Sequence, residues 1–280
     1  MKNTIRLTAA IALLATGAVA QDDNQLVING DVEMITDAPA PDYVEGLKTI
    51  YSGWRFRDAS LQQMEMDDFE NPAVIAVDRA TEMWSTVEGT ADKSCASCHE
   101  NLEADMKGVR AVYPKWNEKA GELRTLASQI NHCRTDNMGA EAWKYDGDDM
   151  TGMEALISIQ SRGMPMNVAI DGPVHDMWKQ GEEMYYTRYG QLELSCANCH
   201  EQNYDNYIRA DHLSQGQTNG FPAFRLKNDG LVQVQNRFKG CIRDTRAETY
   251  SVGSPEFDAL ELYVASRGNG LSVEGPSVRP

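Results

Sequence analysis

Four of the six cysteines lie in two copies of one short pattern, in which two thiols are separated by two residues and followed directly by a histidine. The residues of the two copies are Cys95, Cys98 and His99, and Cys196, Cys199 and His200. Two thiols about one helical turn apart can bond to both vinyl groups of a porphyrin, and the adjacent imidazole can then bind its iron. The pattern predicts two covalently bound haem c groups, with His99 and His200 as axial ligands. A zinc site or disulfides formed by these four thiols fits the spacing poorly.

The chain contains an internal repeat that extends beyond these motifs. Trp84 and Trp178 each precede a motif, and a Ser-Arg-Gly triplet at 161–163 recurs at 266–268. Each half also has apolar residues with spacings of three, four and three that end on one of the two remaining cysteines. These sets are Leu123, Leu126, Ile130 and Cys133, and Leu231, Val234, Phe238 and Cys241. Such spacings predict one face of an α-helix in each half.

Two repeats of about one hundred residues, each with a haem motif and helical stripes, predict a mainly α protein with two cytochrome c-like domains. We expect an N-terminal extension over residues 21–72, packed on the first domain. The domains are expected over 73–165 and 166–280, with a linker near 163–173. The predicted helices cover residues 73–87, 118–132, 153–161, 173–188, 229–242 and 256–266.

Cys133 and Cys241 lie outside the haem motifs. A disulfide between them is one interpretation, because an exported chain enters an oxidising compartment. Equivalent positions in a repeat point into the cores of their own domains, however, and a disulfide would require both helices to leave those cores. We therefore favour Cys133 and Cys241 as the second axial ligands of the two irons, opposite His99 and His200.

The two remaining cysteines differ in the charge around them. Residues 225–246 carry six basic and two acidic side chains in a chain of formal net charge −16. Arg237 lies one helical turn before Cys241, whereas Gln129 holds the matching position before Cys133. Guanidinium groups stabilise a thiolate and hold oxyanions by paired hydrogen bonds. The pattern predicts that Cys241 is both an iron ligand and a reactive sulfur, with Arg237 as its anion-binding neighbour. A docking patch for an acidic partner is the alternative.

Composition and the first residues restrict location and partners. Residues 1–20 combine Lys2 and Arg6 with an apolar run and a small-residue cleavage pattern at 18–20, which predicts a signal peptide and a periplasmic protein. The acidic net charge argues against binding to nucleic acid or to anionic lipid. No later stretch is long and apolar enough to predict a membrane span.

Together these features resemble the dihaem SoxA subunits of the SoxAX cytochromes of bacterial thiosulfate oxidation. The likeness covers most of the chain after the signal peptide. It includes residues 52–54 and 67–72, both haem motifs, and the segment Arg-Phe-Lys-Gly-Cys at 237–241. That last segment narrows the match, because the haem motifs alone would fit many cytochromes.

The resemblance implies an L-cysteine S-thiosulfotransferase, which joins thiosulfate oxidatively to a cysteine of the carrier SoxYZ. It implies a heterodimer with the monohaem cytochrome SoxX, which receives the electrons. His99 and Cys133 would be the axial ligands of one haem, and His200 and Cys241 those of the other. The resemblance further implies Cys241 as the active-site sulfur and Arg237 as a substrate contact.

Two functions of other classes stay open. One is a pure electron carrier, in which both thiolates only tune the haem potentials. The other is a dihaem peroxidase, which also contains two motifs of this type. A peroxidase needs one haem with an open or displaceable sixth position, whereas each half of this chain offers a strong candidate ligand there.

Overall fold

The computed structural model describes residues 25–280, and the predicted signal peptide at 1–20 lies outside the described residues. Over this part the chain is mainly helical, as predicted. The described helices are α1 Ala59–Met66, α2 Val74–Ser85, α3 Leu102–Met106, α4 Leu126–His132, α5 Asp148–Ile159, α6 His175–Tyr186, α7 Cys196–His200, α8 Val234–Asp244 and α9 Pro255–Ser266. Among residues 25–280 we find no helix with the length and apolar character that crossing a bilayer requires.

Short strands of two or three residues connect these helices. They are β1 Val27–Ile28, β2 Val32–Glu33, β3 Asp37–Pro39, β4 Thr49–Tyr51, β5 Lys115–Asn117, β6 Glu122–Arg124, β7 Tyr207–Ile208, β8 Asp211–His212, β9 Ala223–Arg225, β10 Gly230–Val232 and β11 Ser277–Arg279. Consecutive strands form antiparallel pairs, and β11 adds to β9 in parallel as the third strand of the order β10–β9–β11. The strands are too short to form a layer, so the helices supply the core.

Each half is built around two crossing helices. Helix α2 packs against α5 in the first half, and α6 packs against α9 in the second. Trp84 and Trp178, which mark the repeat in the sequence, are both buried in these pairs. In the second pair a Cβ added to Gly181 would lie 2.0 Å from the carbonyl oxygen of Ala259, so the backbones meet directly at the crossing.

The predicted helices at 118–132 and 229–242 are wrong in their first parts. A hairpin occupies those residues in each half, and the helices begin only at Leu126 and Val234. Leu123 and Leu231 therefore lie on strands β6 and β10 rather than on the predicted helix faces. The prediction was wrong because a strand residue and the first helical residue are three positions apart, as in Leu123 and Leu126. That separation equals the spacing of two residues on one face of a helix.

The two hairpins are equivalent, and they exchange apolar side chains between the halves. Trp116 pairs with Leu123 across the first hairpin, as Phe224 pairs with Leu231 across the second. Trp116 and Leu123 pack against the core of the second half, whereas Leu231 packs against the core of the first. Each core is thus completed by the other half, which fixes the two halves against each other.

The N-terminal extension packs mainly on the second half, so the expectation that it covers the first domain is wrong. The Tyr43 hydroxyl donates to the carbonyl oxygen of Ser266 at 2.8 Å. Glu65, which is fully buried, pairs with Arg279 at 2.6 Å between the carboxylate and the guanidinium. The physical reason is that Arg279, on strand β11 of the second half, forms an ion pair with the buried carboxylate of Glu65 in the extension.

A contact made once in each half joins the haem motif to the helix that carries the remaining cysteine. Gly89 and Gly190, each six residues before the first motif cysteine, have φ angles of +74° and +63°. A Cβ at either glycine would lie 2.2 Å from a carbonyl oxygen, that of Met138 in the first half and that of Thr245 in the second. The motif loop therefore rests on the end of the cysteine helix without space for a side chain.

In the first half the chain between the cysteine and this contact is one residue longer than in the second. The contacted carbonyl lies five residues after Cys133 but four residues after Cys241. In the first half the chain forms a π-helical turn over Cys133–Met138, whereas α8 continues as an α-helix through Cys241. Because a π-turn accommodates one extra residue, it preserves the contact in both halves.

Buried charged groups lie where the halves meet. Glu154 of α5 and Glu261 of α9 are both buried near the guanidinium of Arg110. Burial, reinforced by Glu261, raises the pKa of Glu154 to about 8. Burial, reinforced by Asp258, raises the pKa of Glu261 to about 7. The Gln235 amide of α8 donates to carboxylate oxygens of Asp258 and Glu261, each at 2.8 Å, which anchors the cysteine helix to this cluster.

The stability of the protein should fall as pH rises through the raised pKa values of this cluster. Each of these carboxyl groups has a folded-state pKa above its ordinary value of 4.5, so it stabilises the fold fully below pH 4.5. This contribution is lost progressively as the pH rises to the folded-state pKa values of about 7 and about 8. We expect the free energy of unfolding to decrease by about 2 kcal/mol between about pH 6 and pH 9. Glu154→Gln should flatten this decrease in chemical denaturation at both pH values. An equal slope in the variant would contradict the assignment.

Replacing Gly190 should damage the second half more than its backbone conformation alone explains. Gly121 has a similar φ of +66° but no atom within 4 Å of an added Cβ, so Gly121→Ala is the matched control. We expect the control to lose about 1 kcal/mol of unfolding free energy, because alanine is strained at positive φ. Gly190→Ala should lose at least about 2 kcal/mol more, because the Cβ would overlap a carbonyl oxygen. Equal losses in thermal or chemical unfolding would show that the close contact does not matter.

Candidate active site

A serine cap orients the thiols of each motif. The Ser195 hydroxyl accepts the backbone N–H of Asn198 at 3.2 Å, and the Asn198 side chain accepts the backbone N–H of Ser195 at 2.9 Å. In the first motif the Ser97 hydroxyl accepts the backbone N–H of Ser94 at 2.9 Å. These bonds begin α7 and a short 3₁₀ turn over Cys95–Ser97. Neither cap was predicted from the sequence, although a serine directly precedes each motif.

Each remaining cysteine lies beside the motif of its own half. All six cysteines in the described part are free thiols, and Cys133 and Cys241 are not joined to each other. Burial raises the pKa of the Cys95 thiol, with a further contribution from Cys133. Burial raises the pKa of the Cys196 thiol to about 12, and Cys241 is the next largest cause. These interactions place each extra thiol near the motif in its own half, which is the arrangement predicted for iron ligation.

The second motif presents a fixed, neutral imidazole. His200 Nδ1 hydrogen-bonds the carbonyl oxygen of Ser214 at 2.7 Å, and the ring lies against Gly216, where a Cβ would be 2.8 Å from Cγ. Burial lowers the pKa of His200 to about 4, so the ring is neutral near pH 7. With Nδ1 held by a carbonyl, Nε2 is the nitrogen available to a metal. In the first motif the His99 ring lies 5.9 Å from the ring of Trp84.

A buried arginine near the second motif has unused hydrogen-bond donors. Arg267 is fully buried and pairs through Nη1 with Glu201, the residue that follows the motif. Its Nε and Nη2 have no hydrogen-bond partner in the described part. The Arg267 cation also lowers the pKa of Cys196 and of His200, so it lies close to both. Unpartnered guanidinium donors beside an oriented imidazole and a thiol fit a haem with its anionic propionates.

The residue one turn before each extra cysteine reaches that cysteine's surroundings. In the first half the Gln129 amide donates to Cys133 Sγ at 3.3 Å. In the second half Arg237 holds this position, and its cation lowers the pKa of Cys199 and of His200. The structure therefore brings the predicted site residues of the second half together, and it gives the two thiols chemically different neighbours.

A second arginine, which was not predicted as a site residue, lies in the same surroundings. The charge of Arg225, at the end of β9, interacts with both Arg237 and Cys241. Its Nε donates to the main-chain oxygen of Pro280 at 3.0 Å, which holds the side chain in place. The one sequence feature that pointed to Arg225 was its place in the basic segment at 225–246. Its position beside the thiol depends on strand pairing and could not be seen in the helical pattern.

Comparison with known proteins agrees with this geometry. A family model described as the cytochrome c domain of SoxA/TsdA matches residues 79–166 and again 180–273. The prediction of a mainly α chain with two cytochrome c-like domains is confirmed. A cytochrome c domain of this kind implies haem c.

Individual relatives are similar over nearly the whole chain. The L-cysteine S-thiosulfotransferase subunit SoxA of Rhodovulum sulfidophilum is 58% identical, with 99% of this chain and 98% of the relative covered. The subunit of the same name from Paracoccus pantotrophus is 54% identical, with 99% and 97% covered. A chain in the crystal structure of SoxXA from P. pantotrophus matches with a TM-score of 0.89 and 54% identity, over 93% of this chain and 99% of that one. The chain therefore belongs to the SoxA/TsdA cytochrome c family and, within it, to the SoxA subunits.

Proposed function

We propose that this chain is the catalytic subunit of an L-cysteine S-thiosulfotransferase, which joins thiosulfate to a cysteine of a carrier protein. The names of its relatives support this activity. The observation that carries the assignment is the position of Cys241 beside its own haem motif and Arg237, in contrast to Cys133 with its neutral Gln129. In the first half the nearby guanidinium groups of Arg134 and Arg124 already pair with Glu88 and Glu122. Within residues 25–280 no acid pairs with Arg237, so its guanidinium group is available to bind a dianion beside the second thiol.

The reaction is an oxidation that balances with two electrons. The outer sulfur of thiosulfate forms one S–S bond to the thiolate of Cys241, and two electrons leave. A carrier thiolate then attacks that outer sulfur, releases the Cys241 thiolate and takes the thiosulfonate group. If the carrier enters as a thiol, one proton is also released. Cys241 is regenerated, so the chain acts as a true catalyst.

The electrons require one-electron acceptors. We place two covalently bound haem c groups in the chain, which supply stepwise electron transfer when bound. The covalent attachment points are the motif thiols Cys95, Cys98, Cys196 and Cys199. His99 and Cys133 would hold the iron of one haem, and His200 and Cys241 would hold the iron of the other. The hydrogen bond that His200 Nδ1 donates to the carbonyl oxygen of Ser214 would orient the imidazole, and Arg267 would offer its unpartnered donors to a propionate.

The proposed setting is the periplasm, after removal of residues 1–20. A monohaem cytochrome of the SoxX type is the proposed partner in a heterodimer, which the SoxXA assembly of a 54% identical chain supports. SoxYZ is the proposed carrier. The role of Arg237 is to hold the sulfonate oxygens of thiosulfate so that the outer sulfur faces Cys241.

Cys241→Ser should abolish conjugation of thiosulfate to the carrier, because serine cannot form the S–S bond. We expect turnover to fall by about three orders of magnitude or more. Cys133→Ser is the matched control, since it removes the equivalent thiol of the first half, and it should retain most of the activity. Both variants should keep two haems attached, which mass spectrometry of the denatured chain will show. Turnover of Cys241→Ser within about tenfold of wild type would refute the central role of this sulfur.

Arg237→Gln should weaken the use of thiosulfate, because a neutral amide replaces charge-assisted hydrogen bonds to the sulfonate. We expect kcat/KM for thiosulfate to fall by about 10- to 100-fold, chiefly through KM. The control is Gln129→Leu, which changes the matching residue of the first half and should leave thiosulfate saturation unchanged. Steady-state kinetics at saturating carrier measures both. An unchanged thiosulfate KM in Arg237→Gln would contradict the assignment.

A further inference from the structure

The residue directly before Cys241 is a glycine inside a helix. Gly240 lies well within α8, where glycine is less favourable than alanine because it loses more backbone freedom on folding. Its φ is not in the left-handed region, so the backbone conformation does not require glycine. A Cβ added there would contact only two side-chain ends, Arg243 Nη2 at 3.9 Å and Arg237 Nη1 at 4.0 Å. Neither strain nor packing within this chain explains the glycine.

The first half shows that a haem motif does not require this glycine either. His132 holds the matching position directly before Cys133. The position after the cysteine that matches Arg243 is Thr135 in the first half. Three neighbours of the thiol therefore differ between the halves. The first half has glutamine, histidine and threonine at the positions four before, one before and two after the cysteine, and the second half has arginine, glycine and arginine there. These differences give the second thiol a more basic neighbourhood than the first, with no side chain at the residue directly before it.

The two guanidinium groups face the same small space. Each has a terminal nitrogen about 4 Å from the point where the Cβ of residue 240 would stand. The Arg243 side chain is exposed, and its nearest acid is Asp244 at the long distance of 3.7 Å. In residues 25–280 the guanidinium groups of Arg237 and Arg243 donate no hydrogen bond to another residue. Both forks are thus free to bind a ligand that enters over Gly240.

We propose that Arg243 and Gly240 complete, together with Arg237, a seat for the sulfonate group of thiosulfate. This inference rests on the proposed function and adds two residues to it. Two guanidinium forks on opposite sides of a bare backbone surface suit a compact, tetrahedral oxyanion with several acceptor oxygens. The missing side chain leaves room for the anion beside Cys241, so residue 240 determines which ligands fit. Arg243 is a substrate-binding residue in this arrangement.

The test compares four variants of the complete haem-loaded chain in complex with its partner cytochrome. Gly240→Ala narrows the seat without a clash, and Gly240→Val fills it. Arg243→Gln removes one fork, while Arg246→Gln removes a nearby exposed charge that does not face Gly240. Thiosulfate binding is measured by calorimetry without carrier, and KM for thiosulfate is measured with carrier. Thermal unfolding and haem content are recorded for every variant.

We expect Gly240→Ala to keep both haems and a melting temperature at or above that of wild type, because alanine favours the helix. Its Kd and KM for thiosulfate should nevertheless rise about tenfold, and those of Gly240→Val by more. Arg243→Gln should raise both constants about tenfold through loss of charge-assisted hydrogen bonds, whereas Arg246→Gln should change them less than about twofold.

Other outcomes separate this inference from the proposed function. If wild type neither binds nor conjugates thiosulfate, the proposed function itself is wrong. If wild type turns over but Gly240→Ala and Arg243→Gln saturate like wild type, the seat is refuted while the function stands. Equal effects of Arg243→Gln and Arg246→Gln, seen only as a higher KM for the carrier, would assign the arginines to protein docking and overturn the seat. Should Gly240→Val lose haem, Arg243→Gln still decides the question.

Discussion

The distance between a haem motif and the helix that carries the extra cysteine is set by contact between two backbones. A glycine loop rests on a carbonyl oxygen at the end of that helix in each half, without space for a methyl group. Because the imidazole follows the loop and the thiol precedes the helix end, this contact brings a histidine and a cysteine of the same half together. The π-turn after Cys133 shows how strictly the contact is kept, since the extra residue is absorbed in the helix rather than in the contact.

On this common scaffold the two halves carry different chemistry. The first thiol accepts a hydrogen bond from a neutral amide. The second lies among arginines that come from a helix and from a strand, and the strand arginine is held by the last residue of the chain. The two halves therefore share a fold but differ in the charge around the thiol. The buried Arg267 pairs with Glu201, directly after the second motif. Arg162, the equivalent residue of the first half, instead pairs with Asp68 of the N-terminal extension.

The interface between the halves ties the reactive helix to the rest of the molecule. The hairpins exchange apolar side chains, so neither core is complete alone. Gln235 connects the helix of Cys241 to carboxyl groups whose pKa values are raised by burial. These hydrogen bonds connect the helix to a buried cluster that lies outside the site. This arrangement also explains why the protein forms one body rather than two independent cytochromes.

Features that depend on local spacing could be predicted from the amino-acid sequence. The motif thiols and histidines and the pairing of Arg237 with Cys241 on one helix face follow from distances of one to four residues. The internal repeat and the mainly α fold follow from the recurrence of such patterns about one hundred residues further along the chain. Tertiary structure decided the features that depend on contacts between distant residues. Leu123 and Leu231 lie on strands because each hairpin packs on the opposite half, and the extension covers the second half because Glu65 meets Arg279 there. Likewise, Arg225 reaches Cys241 through strand pairing, and the space over Gly240 is defined only when both guanidinium groups are placed. Spacing along a helix specifies which side chains share a face, but only the packed chain specifies what that face meets.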